Sequence, residues 1–437
     1  MDHFQHKNGQ LHCENVNLDQ LAARVGTPLY VYSKQTLIEH VQRFGAAFAP
    51  LNPLICFAVK SCPNLHVIRA LAEQGAGADV VSGGELFRAL EAGVPASKIV
   101  AAGVGKSEAE LKALLEAQVG WINVESEHEI ETLSGLAKQL GRRATVALRV
   151  NPDVVDSKTP QKTSTGKKGS KFGVDIDRAV TFFEKYGRDT NLSLTGLHAH
   201  IGSPIFSPEP YVVAIQKLLD LVQQLKSKGL AVQSLDIGGG FAANYDGSAP
   251  AWSSYAEQII PLLAPFVAAG GKIITEPGRT LVANSGVLLT RVEYLKHSGD
   301  RQFAIVDAGM SHHMRPALYD AYHFIWPTRV PANQEPQGYA RDQALPALAP
   351  YDIAGPICES SDFLARERLL PQLDRGQLLC VYTSGAYGMS MSSQYNSMPR
   401  AAEVLVDGDT ATLIRRRENY HDLIAHELNP TPITGLG

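Results

Sequence analysis

Five short segments carry side chains that could do chemistry, and each follows an apolar run. They are FAVKS (57–61), ADVVSGGEL (78–86), HAHIGS (198–203), DIGGGF (236–241) and EPGR (276–279). Lys60 stands directly after apolar residues. Partial desolvation there would favour the neutral amine that a Schiff base requires, although a strand-end lysine can also simply reach solvent. Asp79 and Glu85 flank a Ser-Gly-Gly stretch that also reads as a tight turn and a helix start. His198 and His200 alternate, which in a strand puts both on one face. One imidazole could then lie flat against a bound aromatic ring. A metal pair is the rival reading, but nearby carboxylate or cysteine partners are missing from the sequence, and His198 also reads as a satisfied core histidine. Gly238, Gly239 and Gly240 would let backbone N–H groups approach a phosphate. Glu276 could hydrogen-bond a protonated ring nitrogen, or form a surface pair with Arg279.

Something must bring these segments together. Short β-branched runs alternate with helical periodicity at 54–59, 77–81, 98–102, 121–125, 144–150, 194–200, 233–237 and 272–276. Between them lie segments such as PNLHVIRALAEQG and EPYVVAIQKLLDLVQQLKSKG, with apolar residues recurring at three and four positions. Eight β/α units predict a (β/α)8 TIM-type barrel. An open doubly wound sheet would need a phosphate fingerprint after its first strand, which ends instead in Val59-Lys60-Ser61. Barrel enzymes carry their working groups at the C-terminal ends of the strands, and often bind phosphate after strand seven, where the three glycines fall. An amine, a stacking imidazole, a phosphate cradle and a carboxylate at one mouth are what pyridoxal phosphate needs. After Glu276 the strands lose their intervening helices, so a second, all-β domain of sandwich or barrel-like form is expected. The first 35 residues, with the strand-like PLYVYS, should pack with it. The expected boundaries are 36–285 for the barrel, and 1–35 with 286–437 for the β domain.

The 437 residues suit two domains, with 44% apolar and 19% charged residues and a net charge of −4. That balance gives no nucleic-acid surface. The one dense basic run, Lys162 to Lys171, is interrupted by Thr, Ser and Gly and reads as a mobile solvated loop. Five cysteines without a CxxC pair argue against disulfides and zinc, and for reduced thiols in a cytoplasm. The N-terminus lacks signal-peptide character, and no run approaches a membrane span.

Taken in order, the five segments resemble the fold-type III pyridoxal-phosphate decarboxylases, whose barrel is shared with alanine racemase. MRPALYDAYH (314–323), GPICESSD (355–362), GAYGMSMSSQYN (385–396) and LIRRREN (413–419) resemble the diaminopimelate decarboxylase family. The likeness runs from about residue 25 to 425. It implies that Lys60 holds the cofactor covalently, with Asp79 beside it, and that His200 stacks on the ring. Ser203, Gly239, Gly240, Gly278 and Arg279 would hold the phosphate, and Glu276 would pair with the ring nitrogen. Arg279, Arg315 and Tyr319 would grip substrate carboxylates, using the two-pronged geometry of arginine. Tyr387 would touch cofactor and substrate. Cys358 would return a proton and Glu359 would bind a distal ammonium, both from the partner subunit of a homodimer. On its own residues alone, Cys358 reads as a small buried hydrophobe. The small-molecule substrate would be an amino acid, with decarboxylases of ornithine, arginine or carboxynorspermidine, a racemase and a non-catalytic regulator as the other readings. Two stretches depart from the family: SKTPQKTSTGKKGSK (157–171) lacks an aromatic residue common in similar stretches, and MSHHM (310–314) replaces an Asn-containing version. His312 and His313 read as loop residues, with new polar contacts as the alternative.

Overall fold

The apolar runs of the first 280 residues form strands that close on one another. In the computed structural model, which describes residues 2–156, 159, 165–166 and 168–433, eight parallel strands complete a ring. They are β1 (Leu54–Ala58), β2 (Gly77–Val80), β3 (Ile99–Ala101), β4 (Trp121–Val124), β5 (Ala144–Asn151), β6 (Leu192–His198), β7 (Ser234–Asp236) and β8 (Lys272–Thr275). Each pairs with the next, and β8 returns to β1 through Ile274 opposite Leu54. A closed sheet leaves no unpaired edge. Cys56, Val100 and Ile274 pack together inside the ring, with Leu54 and Trp121 against them. This is the filled interior expected of such a barrel.

The helices between the strands start where the sequence supplies caps. Ser82 accepts the Glu85 N–H at 3.2 Å at the start of Gly83–Glu91, and Ser107 with Glu110 forms a capping box for Glu108–Ala117. Helix Glu209–Ser227 buries Tyr211, Ala214, Ile215, Leu218, Leu221, Val222 and Leu225, the stripe that covers a sheet.

Two strands end earlier than their apolar runs suggest. β1 stops at Ala58 because Val59–Ser61 winds into a 3-10 turn, with the Cys62 N–H donating to Val59 O at 3.0 Å and Ser61 Oγ to Ala58 O at 2.7 Å. β6 stops at His198, so His200 lies beyond the strand. The expected alternation of the two histidines on one strand face is therefore corrected.

The chain forms two compact units, residues 36–244 with 248–283, and residues 1–35 with 245–247 and 284–437. In the second unit Gly286–Ser298 pairs with Leu29–Ser33, Arg301–Val306 and Leu378–Val381. Leu29–Ser33, buried along its whole length, also runs parallel to Ala402–Asp407. The PLYVYS segment is thus built into the sheet. Phe4–Lys7, Gln10–Cys13 and Val16–Asn17 make a small meander. Much of the basic stretch around 157–171 lies outside the described residues; Lys168, within them, pairs with Asp177 at 3.3 Å. Among the described residues, no helix is long and apolar enough to cross a membrane.

The register of β6 against β5 shifts between Leu194 and Gly196. A Cβ at Gly196 would stand 2.6 Å from Ala147 Cβ and 2.8 Å from Ser234 Oγ. Gly196→Ala is expected to cost about 1–3 kcal/mol of stability by forcing the strands apart. Urea unfolding of both proteins checks this, and an unchanged midpoint would contradict it.

Candidate active site

Register places the ionisable groups of the barrel. His198 and Asp236 are partners across β6 and β7, and Asp236 faces Ile274 on β8. Two residues on from Ile274, Glu276 returns to the same face. Asp79 is the partner of Ala58, just before the turn that carries Lys60. Five side chains with charge or proton chemistry therefore gather at the C-terminal ends of the strands.

Lys60 Nζ lies 2.5 Å from Asp79 Oδ2. The lysine side chain is 38% exposed, whereas Asp79 is fully buried. Desolvation of the lysine, expected from the sequence, is thus replaced by an ion pair, which favours the ammonium. Burial and the neighbouring Glu276 push the Asp79 carboxyl up, with Lys60 pulling the other way.

Glu276 is buried with its Oε2 3.4 Å from His198 Nε2. Burial pushes its carboxyl up, but His198 and Lys60 outweigh burial and hold it well below the ordinary range. Its other oxygen, Oε1, meets no N–H or hydroxyl donor among the described residues, and the carboxyl shares a hydrogen bond with Asp236. A buried carboxylate oxygen without a donor is costly unless a ligand supplies one.

His200 accepts the Gly239 N–H on Nδ1 at 3.2 Å, which places its own proton on Nε2. Burial, then the charges of Arg149 and Lys60, lower it to about 3, so the ring is neutral. The glycines are required by close approach. A Cβ on Gly239 would sit 2.1 Å from Glu276 O, and one on Gly240, at φ +101°, would sit 2.2 Å from Gly202 O. Two of the three amides are already engaged: Gly238 N–H donates to Asp236 Oδ1 at 2.9 Å, and Gly239 N–H to His200. The phosphate cradle is narrower than three glycines suggest. Arg279 Nε donates to Ser203 Oγ at 3.2 Å beside it, and a Cβ on Gly278 would stand 2.9 Å from Ala58 Cβ.

His198, Asp236 and Glu276 bring ligand atoms within 4.8 Å of one another. Folding thus supplies the carboxylates that the sequence lacks beside the histidines. Burial and Glu276 drive the Asp236 carboxyl well above its ordinary range, toward the neutral acid.

Arg315, Tyr319, Cys358, Glu359 and Tyr387 belong to the second unit. Arg315 opens the short helix Arg315–Tyr319 and is buried, and Tyr319 is half-buried. Cys358 is exposed, correcting its reading as a buried hydrophobe, and its Sγ accepts from Asn396 Nδ2 at 2.9 Å. Glu359, also exposed, accepts from Tyr395 Oη and from Ser361 Oγ at 2.8 Å, and both bonds lower its carboxyl. Tyr387 holds φ +57°, a conformation bulky residues rarely adopt outside functional loops.

Sequence reading missed several partners. Arg149 and Glu125 form a buried pair at 2.9 Å at the ends of β5 and β4. Their signal was charge at the end of apolar strands. Asn396 and Tyr395 carried no such signal.

The family described as "Pyridoxal-dependent decarboxylase, pyridoxal binding domain" matches residues 34–283. Over 98% of both chains, the protein is 43% identical to the diaminopimelate decarboxylase of Aquifex aeolicus. The chain belongs to the diaminopimelate decarboxylase family. Among solved members, the enzyme from Helicobacter pylori, complexed with L-lysine, is 36% identical with a TM-score of 0.86, over 94% of this chain and 99% of that one. That from M. jannaschii, in co-complex with L-lysine, is 34% identical with a TM-score of 0.89, over 98% of each chain. The barrel residues fit the family's cofactor. The orphaned Glu276 Oε1 suits a protonated ring nitrogen, and the close-packed glycines leave room where a side chain would intrude.

Glu85 gives a test of the site's electrostatics. Burial raises its carboxyl to about 7, opposed by the Val81 N–H that it accepts at 2.8 Å. Between about pH 4.5 and 7 the unfolded chain has already released this proton while the folded protein still holds it. Folding stability should therefore fall as pH rises through that window. In Glu85→Gln this part of the slope should vanish. Equal slopes in urea unfolding at pH 5, 6 and 7 would contradict the assignment.

Proposed function

We propose that this chain is a pyridoxal-phosphate-dependent carboxy-lyase that converts meso-2,6-diaminopimelate to L-lysine and carbon dioxide, the last step of lysine biosynthesis. It would act in the cytoplasm as a homodimer, with 36–285 as the cofactor-binding domain and 1–35 with 286–437 as the β domain. One observation carries the reading: Lys60, neutral His200, the glycine cradle and the open oxygen of Glu276 converge at one barrel mouth.

Lys60 would hold the cofactor, with Asp79 beside it. An aspartate pushed up by burial accepts a proton readily, so Asp79 can take the ammonium proton as Lys60 becomes a nucleophile. His200 would lie against the ring as a neutral surface. Glu276, held ionised, would keep the ring nitrogen protonated. Gly239, Gly240, Gly278, Ser203 and Arg279 would seat the phosphate. When bound, pyridoxal phosphate supplies the electron sink for the pair released as the Cα–carboxylate bond breaks.

Arg279, Arg315 and Tyr319 would fix the substrate carboxylates, and Tyr387 would contact both substrate and cofactor. Orienting the scissile bond is the protein's main contribution. Cys358 of one protomer would return a proton to Cα in its partner's site, and Glu359 would bind the distal ammonium. Their exposure, and the hydrogen bonds from Asn396 and Tyr395 that hold them, support a role toward a second copy.

Lys60→Ala is expected to lose the visible absorbance of the lysine-bound cofactor along with turnover. Cys358→Ala should keep that absorbance while kcat falls about 100-fold or more, as for loss of a proton donor. Normal turnover by the Cys358 variant would remove it from the reaction. Mass spectrometry of products from meso-diaminopimelate, L-ornithine and L-arginine in parallel tests the substrate. L-lysine from the first alone is expected, and equal turnover of ornithine would refute the assignment.

A further inference from the structure

Two histidines of the second unit are fully buried and take no part in the chemistry above. His313 comes from the departing MSHHM stretch, and His323 follows the substrate-arginine helix. Their rings meet edge-on, with centroids 4.3 Å apart at 82°. His313 Nε2 lies 3.0 Å from His323 Nε2, and Arg315 Nη1 lies 2.9 Å from the same atom. On its other side, His323 Nδ1 is 2.9 Å from Tyr382 O.

These distances fix the protons. A carbonyl accepts only, so His323 must carry its hydrogen on Nδ1. The guanidinium donates only, so His323 Nε2 must be a bare lone pair. His313 then has to present Nε2–H, because two lone pairs cannot face each other at 3.0 Å. Its Nδ1, 3.3 Å from Tyr30 Oη, is left as acceptor. The single hydrogen of Tyr30 Oη is shared between His312 O at 2.7 Å and His313 Nδ1. Burial and the charge of Arg315 lower His313 to about 3, and His323 is driven well below its ordinary range by burial, His313 and Arg315. Both rings are neutral, as the geometry demands. Arg315 Nη1 also donates to Tyr245 Oη at 2.9 Å, with its guanidinium 4.9 Å from that ring's centre.

We propose that His323, locked in one tautomer by Tyr382 O and His313, is the positioning residue that aims Arg315 at a substrate carboxylate. A neutral acceptor sets the direction of a guanidinium without cancelling its charge, as a carboxylate anchor would. His313 acts through His323: its N–H shares the lone pair and holds the ring edge-on. The inference rests on the proposed role of Arg315 in binding substrate.

The test is a double-mutant cycle on the cofactor-loaded enzyme with meso-diaminopimelate, using His313→Phe, Arg315→Gln and the double variant. Phenylalanine keeps a ring in the edge-on contact and deletes the N–H. His313→Phe is expected to raise KM about tenfold with kcat within about threefold, the loss of one buried hydrogen bond acting on binding. Arg315→Gln should raise KM further, and the double variant should be no worse than Arg315→Gln alone. His313→Gln, which restores an N–H donor, should recover KM to within about threefold of the parent. Additive effects, or an unchanged KM in His313→Phe beside a raised one in Arg315→Gln, would overturn the positioning role alone. An unchanged KM in Arg315→Gln would overturn the carboxylate role of Arg315, and with it the inference. If His313→Phe does not fold, His313→Leu takes its place in the cycle. Independently, side-chain 15N shifts should show His323 neutral and protonated on Nδ1 from pH 6 to 8, and a cationic His323 would reject the relay.

Discussion

Buried charge must meet an opposite charge or be given up, and the open end of the barrel is arranged around that constraint. Asp79 meets Lys60, Glu125 meets Arg149, and the charge of Lys60 also acts on Glu276. Asp236 has no cation beside it and is driven toward its neutral acid, while accepting from Gly238 and lying 3.4 Å from Asn123 Nδ2. Removing one partner from such a pair leaves a charge that the interior cannot solvate. Within this balanced set, Glu276 shares a hydrogen bond with the Asp236 carboxyl, and its Oε1 meets no N–H or hydroxyl donor among the described residues. A ligand N–H reaching that oxygen would lower its energy, which suits the proposed pairing with a protonated ring nitrogen.

The loops of the second unit solve a different problem. Cys358 and Glu359 stand in solvent, where side chains wander. Consecutive residues of a second loop, Tyr395 and Asn396, each hold one of them. Asn396 reaches Cys358 from a left-handed backbone at φ +54°, a conformation asparagine tolerates better than most residues. Two short hydrogen-bonded rungs thereby give an exposed thiol and carboxylate a fixed spacing without burying either.

The barrel was legible because a closed parallel sheet is covered on both faces, so its strands read as unbroken apolar runs. Lys60, His200, the glycines and Glu276 stood out in the sequence because each follows such a run, and Asp79 because it interrupts one. What could not be read was pairing between strands far apart in sequence. Asp236 lies inside a quoted motif, yet only the β6–β7 register sets it opposite His198. The Lys60–Asp79 ion pair likewise replaced simple desolvation, because the β1–β2 register sets Ala58 beside Asp79. The two histidines of HAHIGS were assigned to one strand face, but the strand ends between them. His313 read as a loop residue because its partner, His323, lies across a helix and a turn.

The strand Leu29–Ser33 has a consequence for how the molecule is made. It is made before the barrel strands, but Leu29 pairs with Leu289 and with Ala402. The barrel strands lie between these partners in the chain, and they can close as soon as Lys272–Thr275 has emerged. The strand must wait for Gly286–Ser298 to pair one edge and for Ala402–Asp407 to pair the other. A nascent chain stalled or truncated before residue 402 would expose an apolar edge, the kind of surface that chaperones hold and that aggregates when they do not.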